Sequence, residues 1–288
     1  MTLLAGGMMG AGATTLVAGL VLARSRFRAA AGADRVLVLG PICDAVALAI
    51  FAAEHFFAAR DLMTLVPRWL PGPLFWTYFV GAALLAAAIS LIAWRHVRWS
   101  AALLALLFLI IVVTIDLPSL PKHLHERLFW TLTVRETAFA AGAMVLAGSL
   151  WPRERWAGTA LVKVGRGIVA ATLIFYAAEH FMFPRFVPGV PLEKMTPDWV
   201  PASTALAYLV GIALVLGGVG LLMRPTIRIA AAGLGIVLIL LTVFFYGTIL
   251  VTELQSPMVV EGINYVGDTL LFAGTVLLAG LGAEGTTV

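Results

Sequence analysis

Nine long apolar stretches divide this chain, and most approach the ~20 residues that an α-helix needs to cross the hydrocarbon core of a bilayer. Hydrophobic residues make up 61% of the sequence and charged residues 12%, against about 25% charged residues in a soluble domain. Backbone groups in lipid must be satisfied within their own segment, so the stretches are predicted to be helices and not open strands. The predicted spans are 3–23, 36–59, 74–94, 99–116, 128–149, 162–183, 203–223, 229–251 and 263–282. The sequence therefore predicts an all-α polytopic integral membrane protein of about nine transmembrane helices, the fifth being the least regular because it contains Arg135 and Glu136.

The basic residues are divided unevenly between the two sides of the predicted membrane. Twelve of the 19 lie in or beside one set of short loops, and seven lie on the other side. The larger set is Arg24, Arg26, Arg28, Arg35, Arg95, Arg98, Arg153, Arg155, Lys163, Arg166, Arg224 and Arg228. The positive-inside rule places this set in the cytoplasm, so the N-terminus is predicted outside and the C-terminus inside. The net charge of +4 is therefore interpreted as a topology signal, and nucleic acid is not an expected partner.

Two further features narrow the function classes. The N-terminal residues lack the basic region of a cleaved signal peptide, so the first apolar stretch is expected to remain as a helix. The single cysteine, Cys43, lies within an apolar stretch. Because no second thiol exists, an intramolecular disulfide and an intrinsic dithiol redox cycle are excluded.

A set of short phrases occurs twice in the chain. Residues 52–56 read Ala-Ala-Glu-His-Phe, and the same phrase returns 125 residues later. A Pro-x-Trp-x-Pro phrase at 67–71 and a Tyr-x-Val-Gly phrase at 78–81 return 130 residues later, so the second copy contains five extra residues after its Glu-His pair. An acid followed by threonine, at 136 and 137, returns 132 residues later.

The repeat predicts two units of four helices. An even number of helices returns the chain to its starting side, so the two units are expected to have the same orientation, as a parallel repeat about an axis along the membrane normal. The predicted divisions are 1–34 for an N-terminal helix and basic loop, 35–150 for the first unit, 151–161 for a cytoplasmic linker and 162–288 for the second unit.

The two Glu-His pairs are the strongest candidate site residues. Glu54, His55, Glu179 and His180 fall at the predicted outer ends of the second and sixth helices, where a carboxylate beside an imidazole could bind a ligand or relay protons. A structural role, in which each pair holds an outer loop, stays open. Two Glu and two His could also form a metal site if they converged, but repetition does not show convergence, so neither a metal nor a haem held by the histidines is favoured.

The other repeated residues lie on the same predicted side. Trp69 and Trp199 in the Pro-x-Trp-x-Pro phrases suit a membrane interface, and with Tyr78 and Tyr208 they are candidates for the wall of a site. A purely anchoring role for the tryptophans stays open.

Glu136 and Asp268 are a second repeated acid, each predicted within the outer part of its helix. Each could pair with the histidine of its own unit as part of a proton relay, or it could form a structural hydrogen bond to the outer loop.

Together these phrases resemble the DoxX-like membrane proteins. The resemblance covers about residues 35–283 and implies two fused copies of a small four-helix unit, with the first helix as an addition. Members of that family are associated with thiosulfate:quinone oxidoreduction, with redox-stress complexes or with metal-peptide maturation. The resemblance implies a multi-pass protein of the bacterial inner membrane.

Three functional hypotheses follow. The first is a DoxX-like subunit of a quinone-linked redox system, with quinone as the candidate cofactor at the outer face. The second is a non-catalytic accessory or scaffolding subunit of a larger membrane complex, whose partners are the lipid bilayer and other membrane subunits. The third is a carrier with a path between parallel repeats, which would require polar groups near the midplane, where Asp44 is one of few.

Overall fold

Nine long helices fill the described part of the chain, residues 2–152 and 156–283 of this computed structural model. The helices are α1 (Leu3–Leu22), α2 (Gly40–Phe57), α3 (Pro73–Ala93), α4 (Val97–Ile111), α5 (Arg127–Ser149), α6 (Trp156–Met182), α7 (Ser203–Leu222), α8 (Ile227–Leu240) and α9 (Val259–Ala279). Each lies within or overlaps one of the predicted spans. Arg153, Arg155 and the chain after residue 283, which belong to the predicted basic set, linker and second unit, lie outside the described residues.

Short helical segments extend or connect the long helices. They are Arg24–Ala29, Ala33–Leu37, Ala59–Leu62, Met63–Leu65, Leu117–Ser119, Leu120–Lys122 and Gly247–Glu253. Strand structure in the described ranges is limited to an isolated antiparallel bridge between Phe186 and Met195. The all-α class predicted from the apolar stretches is therefore confirmed.

Eight helical stretches in the described residues are long and apolar enough to cross a membrane. They comprise all the long helices except α5, with α2, α4 and α8 counted together with their short extensions. α5 is 23 residues long, and Arg127, Arg135 and Glu136 lower its hydropathy. The multi-pass membrane character is confirmed, whereas a total of nine spans stays a prediction.

The first helix of each predicted unit packs against the last helix of the other unit. α2 packs on α3 and α9, and α6 packs on α7 and α5. α5 and α9 also contact each other, so they form the centre of the bundle. The division of the chain into two units stays a prediction. Helices α2–α5 are called the first half and α6–α9 the second half, and these crossed contacts join the two halves.

Glycines permit the closest of these helix contacts. A Cβ added to Gly165 of α6 would lie 2.5 Å from the carbonyl oxygen of Ala141 on α5. A Cβ on Gly274 of α9 would overlap the carboxylate of Asp44 on α2. Small residues at these positions let the helix backbones approach, which is how helices associate in lipid.

A π-helical turn follows both α4 and α8. The turns span Val112–Asp116 and Leu241–Tyr246, and each ends on a polar residue. A π turn inserts an extra residue into the helical ladder and redirects the side chains after it, and such turns are frequent at functional sites. Here they determine where Asp116 and Tyr246 lie relative to the bundle centre.

Candidate functional site

One end of the bundle, where α2 and α6 end and α5 and α9 begin, carries both Glu-His pairs and is called the Glu-His end. Two turns into α5, the Arg135 guanidinium forms ion pairs with two carboxylates. It lies 2.8 Å from Glu136 on the same helix and 2.9 Å from Asp268 on α9. The repeated acids therefore do not pair with the histidines of their own units. They share one arginine at the contact between the two halves.

Glu54 is bound beside this arginine. The side-chain amide of Asn264 on α9 donates a hydrogen bond of 2.9 Å to Glu54 Oε1, and the Glu54 charge acts on Asp268. The other amide atom, Asn264 Oδ1, is buried and has no hydrogen-bond partner among the described residues. Asn264 thus keeps one free acceptor and one free N–H next to the carboxylates.

Asp116 is a fourth acid in the same region. It ends the π turn after α4 and interacts electrostatically with Glu136 and Arg135. Its Oδ2 atom is buried without a hydrogen-bond partner in the described part of the chain. Together, Glu54, Asp116, Glu136, Asp268, Asn264 and Arg135 are called the Arg135 cluster.

The Arg135 cluster is partly open and rich in carboxylates. Residues 132–137 of α5 are all partly exposed, although the helix lies at the centre of the bundle. The cluster has four carboxylates for one guanidinium, so full ionisation would leave three negative charges in a poorly polar environment. The four carboxylates therefore interact through their charges with one another or with Arg135.

Glu179 is held in a different way. The Thr131 hydroxyl of α5 lies 2.9 Å and 3.0 Å from the two carboxylate oxygens of Glu179, and Arg127 Nη1 lies 3.6 Å away. Each repeated glutamate is therefore bound by the last helix of the other half, Glu54 by Asn264 and Glu179 by Thr131. The two glutamates have separate partners and do not form one shared site.

His180 binds the loop between α6 and α7, residues 183–202, through one ring nitrogen and its own helix through the other; this loop is called the insertion loop. The backbone N–H of Gly189 donates to His180 Nε2 at 2.9 Å. Since Nε2 accepts, Nδ1 carries the proton of the neutral ring and donates to the Tyr176 carbonyl at 2.6 Å. The histidine is 2% exposed, so it is a structural element of the loop.

The middle of the insertion loop, residues 187–192, is buried within the second half of the bundle. The Tyr246 hydroxyl donates to the Pro188 carbonyl at 2.6 Å, and Arg127 donates to the carbonyls of Pro191 and, at 3.1 Å, Leu192. The five residues by which the second copy exceeds the first thus belong to a loop that fills this half of the molecule.

His55 lacks such a partner. Its Nδ1 lies 2.8 Å from the Phe51 carbonyl, as His180 Nδ1 lies near Tyr176, but no described residue binds its Nε2. The loop after α2 contains the short helices Ala59–Leu62 and Met63–Leu65 and does not enter the bundle. The first half is therefore the more open of the two.

The predicted wall residues lie at the surface. Trp69 is 68% exposed and Trp199 is 51% exposed. Tyr78 and Tyr208 are also exposed, and they contact Phe56 and Phe181, with ring centroids 6.2 Å and 6.1 Å apart. The structure places these four residues where an interfacial anchor would lie and brings none of them into the Arg135 cluster.

Sequence reasoning missed several residues of this region. Arg135 was noted only as an irregularity of the fifth span, and Asn264, Asp116, Thr131 and Arg127 were not considered. A signal existed for Arg135, because a basic residue beside an acid within an apolar span needs a partner. No local pattern identifies Asn264 as the partner of Glu54, which is 210 residues away.

No metal centre is formed by the described residues. Within 2–152 and 156–283, no three His, Cys, Asp or Glu side chains are arranged to hold a metal ion.

Comparison with known proteins gives a partial match. A family model described as a domain of unknown function, DUF8561, matches residues 45–118, which contain most of α2 and all of α3 and α4. No curated protein and no solved structure matches the chain. The match covers about a quarter of the chain and brings no activity with it.

Proposed function

We propose that this chain is a membrane subunit of a quinone-linked redox system and that the Arg135 cluster binds the quinone headgroup. The observation that carries the proposal is the pairing of Arg135 with one carboxylate from each half, in a helix segment that remains partly exposed. Such a site combines hydrogen-bond donors with proton carriers inside an apolar bundle. The resemblance to DoxX-like proteins supports the same class of function.

The donors suit a carbonyl oxygen. Arg135 has five N–H groups and uses three of them on Glu136 and Asp268, and Asn264 uses one of its two on Glu54. The remaining N–H groups of Arg135 and Asn264 are available for a headgroup oxygen.

The carboxyl groups suit proton delivery. Reduction of a quinone to a quinol consumes two electrons and two protons. We assign the electrons to a redox cofactor of a partner subunit and the protons to the carboxyl groups of the Arg135 cluster. Glu54 and Glu136 are the strongest candidates for proton donors, because each is partly exposed and interacts with the same Asp268.

The test compares two equivalent interactions in the two halves. Asn264→Leu removes the amide that binds Glu54, and Thr131→Val removes the hydroxyl that binds Glu179. Purified protein in nanodiscs is titrated with a short-chain benzoquinone. We expect saturable binding to the wild-type chain, roughly tenfold weaker binding to Asn264→Leu because one hydrogen bond is lost, and unchanged binding to Thr131→Val. Absence of saturable binding to the wild-type chain, or equal affinities for the two variants, would contradict the proposal.

A non-catalytic accessory subunit is the second candidate. It is favoured by the second Glu-His pair, because Glu179 and His180 are both used to hold helices and the insertion loop together. When the source membrane is solubilised in mild detergent, an accessory subunit should co-purify with partner proteins in fixed stoichiometry. Recovery of a lone and stable chain without partners would argue against this role.

A further inference from the structure

A cavity of about 710 Å³ opens at the end of the bundle opposite the Arg135 cluster, which is called the basic end. The ends of α3, α5 and α9, the start of α6 and the connection between α7 and α8 contribute its walls. Its volume lies within the range of about 300–1,000 Å³ that is common for small-molecule sites. The cavity is thus large enough for a headgroup or a small solute.

Basic side chains dominate the charged lining of the cavity. They are Lys163, Arg166, Arg224 and Arg228. Arg228 is neutralised by the buried carboxylate of Asp34, at 2.5 Å. Arg166 donates instead to the backbone carbonyls of Ala279 and Leu281, at 2.8 Å and 2.6 Å, and forms no ion pair with a carboxylate in residues 2–152 or 156–283.

Lys163 and Arg224 add two more free charges. Both are exposed, and neither forms an ion pair with a residue in the described ranges. Three of the four cations around the cavity therefore have no carboxylate partner in the part of the chain that the structure describes. The cavity has a positive potential that an anion would relieve.

An independent observation comes from Arg26, on the short helix Arg24–Ala29. Its guanidinium carbon lies 3.9 Å from the ring centroid of Trp94, and Trp94 itself lines the cavity. Both terminal nitrogens of Arg26 are buried and have no hydrogen-bond partner among the described residues. Burial lowers the pKa of this guanidinium. Buried N–H groups without an acceptor are rare, and these two point to an acceptor beyond the described residues.

We propose that the cavity at the basic end binds a phosphate-bearing anion. A phosphate group offers several charged oxygens, which suit the fork of Arg224, the remaining N–H groups of Arg166 and the point charge of Lys163. Basic pockets between membrane helices are suited to lipid headgroups, and Trp94 and Trp151 in the wall are residues that favour the membrane interface. The phosphate could belong to a phospholipid headgroup or to a soluble compound.

The experiment has one arm for each source. In the first, delipidated protein in detergent is mixed with phosphatidylglycerol or phosphatidylcholine, and bound lipids are counted by native mass spectrometry. In the second, protein in phosphatidylcholine nanodiscs is titrated with inorganic pyrophosphate by calorimetry. Preferential retention of phosphatidylglycerol supports a headgroup, and saturable pyrophosphate binding supports a soluble ligand.

Matched variants test whether the cavity is responsible. The test variant is Lys163→Gln with Arg224→Gln, and the control is Arg24→Gln with Arg28→Gln, which removes two exposed charges outside the cavity. Each lost charge should weaken binding about fivefold, so the test variant should bind roughly 30-fold more weakly, whereas the control should change binding by less than about threefold. A thermal melt checks that both variants fold.

The proposal is overturned by either of two results. One is that the wild-type chain neither prefers phosphatidylglycerol nor binds pyrophosphate. The other is that the folded test and control variants lose affinity equally, because binding would then reflect general surface charge.

Discussion

At the residue scale, the two Glu-His pairs have the same sequence but different partners. His180 binds Gly189 of the insertion loop and the Tyr176 carbonyl, whereas the Phe51 carbonyl is the single hydrogen-bond partner of His55 among the described residues. Glu54 belongs to the Arg135 cluster, and Glu179 is bound by Thr131 and Arg127. The second pair therefore stabilises the fold, and the first pair retains groups that could act on a ligand.

The difference between the histidines predicts a difference in loop stability. His180→Ala removes the hydrogen bond that joins this side chain to the loop and leaves the buried Gly189 N–H unpaired, so we expect the insertion loop to open more readily by about 2 kcal/mol, or roughly 30-fold in population. The rate of tryptic cleavage at Arg185 and Lys194 measures this opening. His55→Ala is the control and should leave that rate unchanged. Equal cleavage of the two variants would show that His180 does not hold the loop.

At the element scale, the packing of α6 on α5 includes a close approach at Gly165. Gly165 faces the Ala141 carbonyl at a distance that leaves no room for a side chain. Gly167, two residues further along α6, has open space around its Cβ position. The same substitution should therefore have opposite effects at the two positions.

We expect Gly165→Ala to lower the free energy of unfolding by about 1–3 kcal/mol, because an inserted methyl group forces the helices apart. Gly167→Ala should raise it by up to about 1 kcal/mol, because alanine has the higher helix propensity. Unfolding in mixed micelles, followed by circular dichroism, measures both. Destabilisation by Gly167→Ala similar to that by Gly165→Ala would rule out the contact as the cause.

At the scale of the whole molecule, charge is arranged along the bundle axis. The Arg135 cluster with its excess of carboxylates lies toward the Glu-His end, and the cavity with its uncompensated cations lies at the basic end. The orientation in which the basic end faces the cytoplasm stays a prediction from the positive-inside rule.

The orientation can be tested with single cysteines. Asp198→Cys lies in the exposed part of the insertion loop, and Ser25→Cys lies at the basic end; both positions are exposed, whereas the native Cys43 is buried. A membrane-impermeant maleimide added to intact cells should label Asp198→Cys at once and Ser25→Cys only after permeabilisation. The reverse pattern would invert the predicted topology.

The sequence alone determined the class of protein and the order of its helices. The length and hydrophobicity of each apolar stretch are local properties, and a bilayer leaves a helix as the usual way to satisfy the backbone of such a stretch. The repeated phrases also identified Glu54, Glu136 and Asp268 as polar residues that needed an explanation. The structure places all three in one cluster.

The partners of those residues were decided only by tertiary structure. Arg135 meets Asp268 133 residues away, because α5 and α9 pack together at the bundle centre. Glu54 meets Asn264 because α2 packs on α9 of the other half and not on α5 of its own half. Burial of the insertion loop likewise depends on Tyr246, Arg127 and His180 from three different segments. These partners depend on how the helices cross. The sequence periodicity of one helix does not indicate how it crosses another.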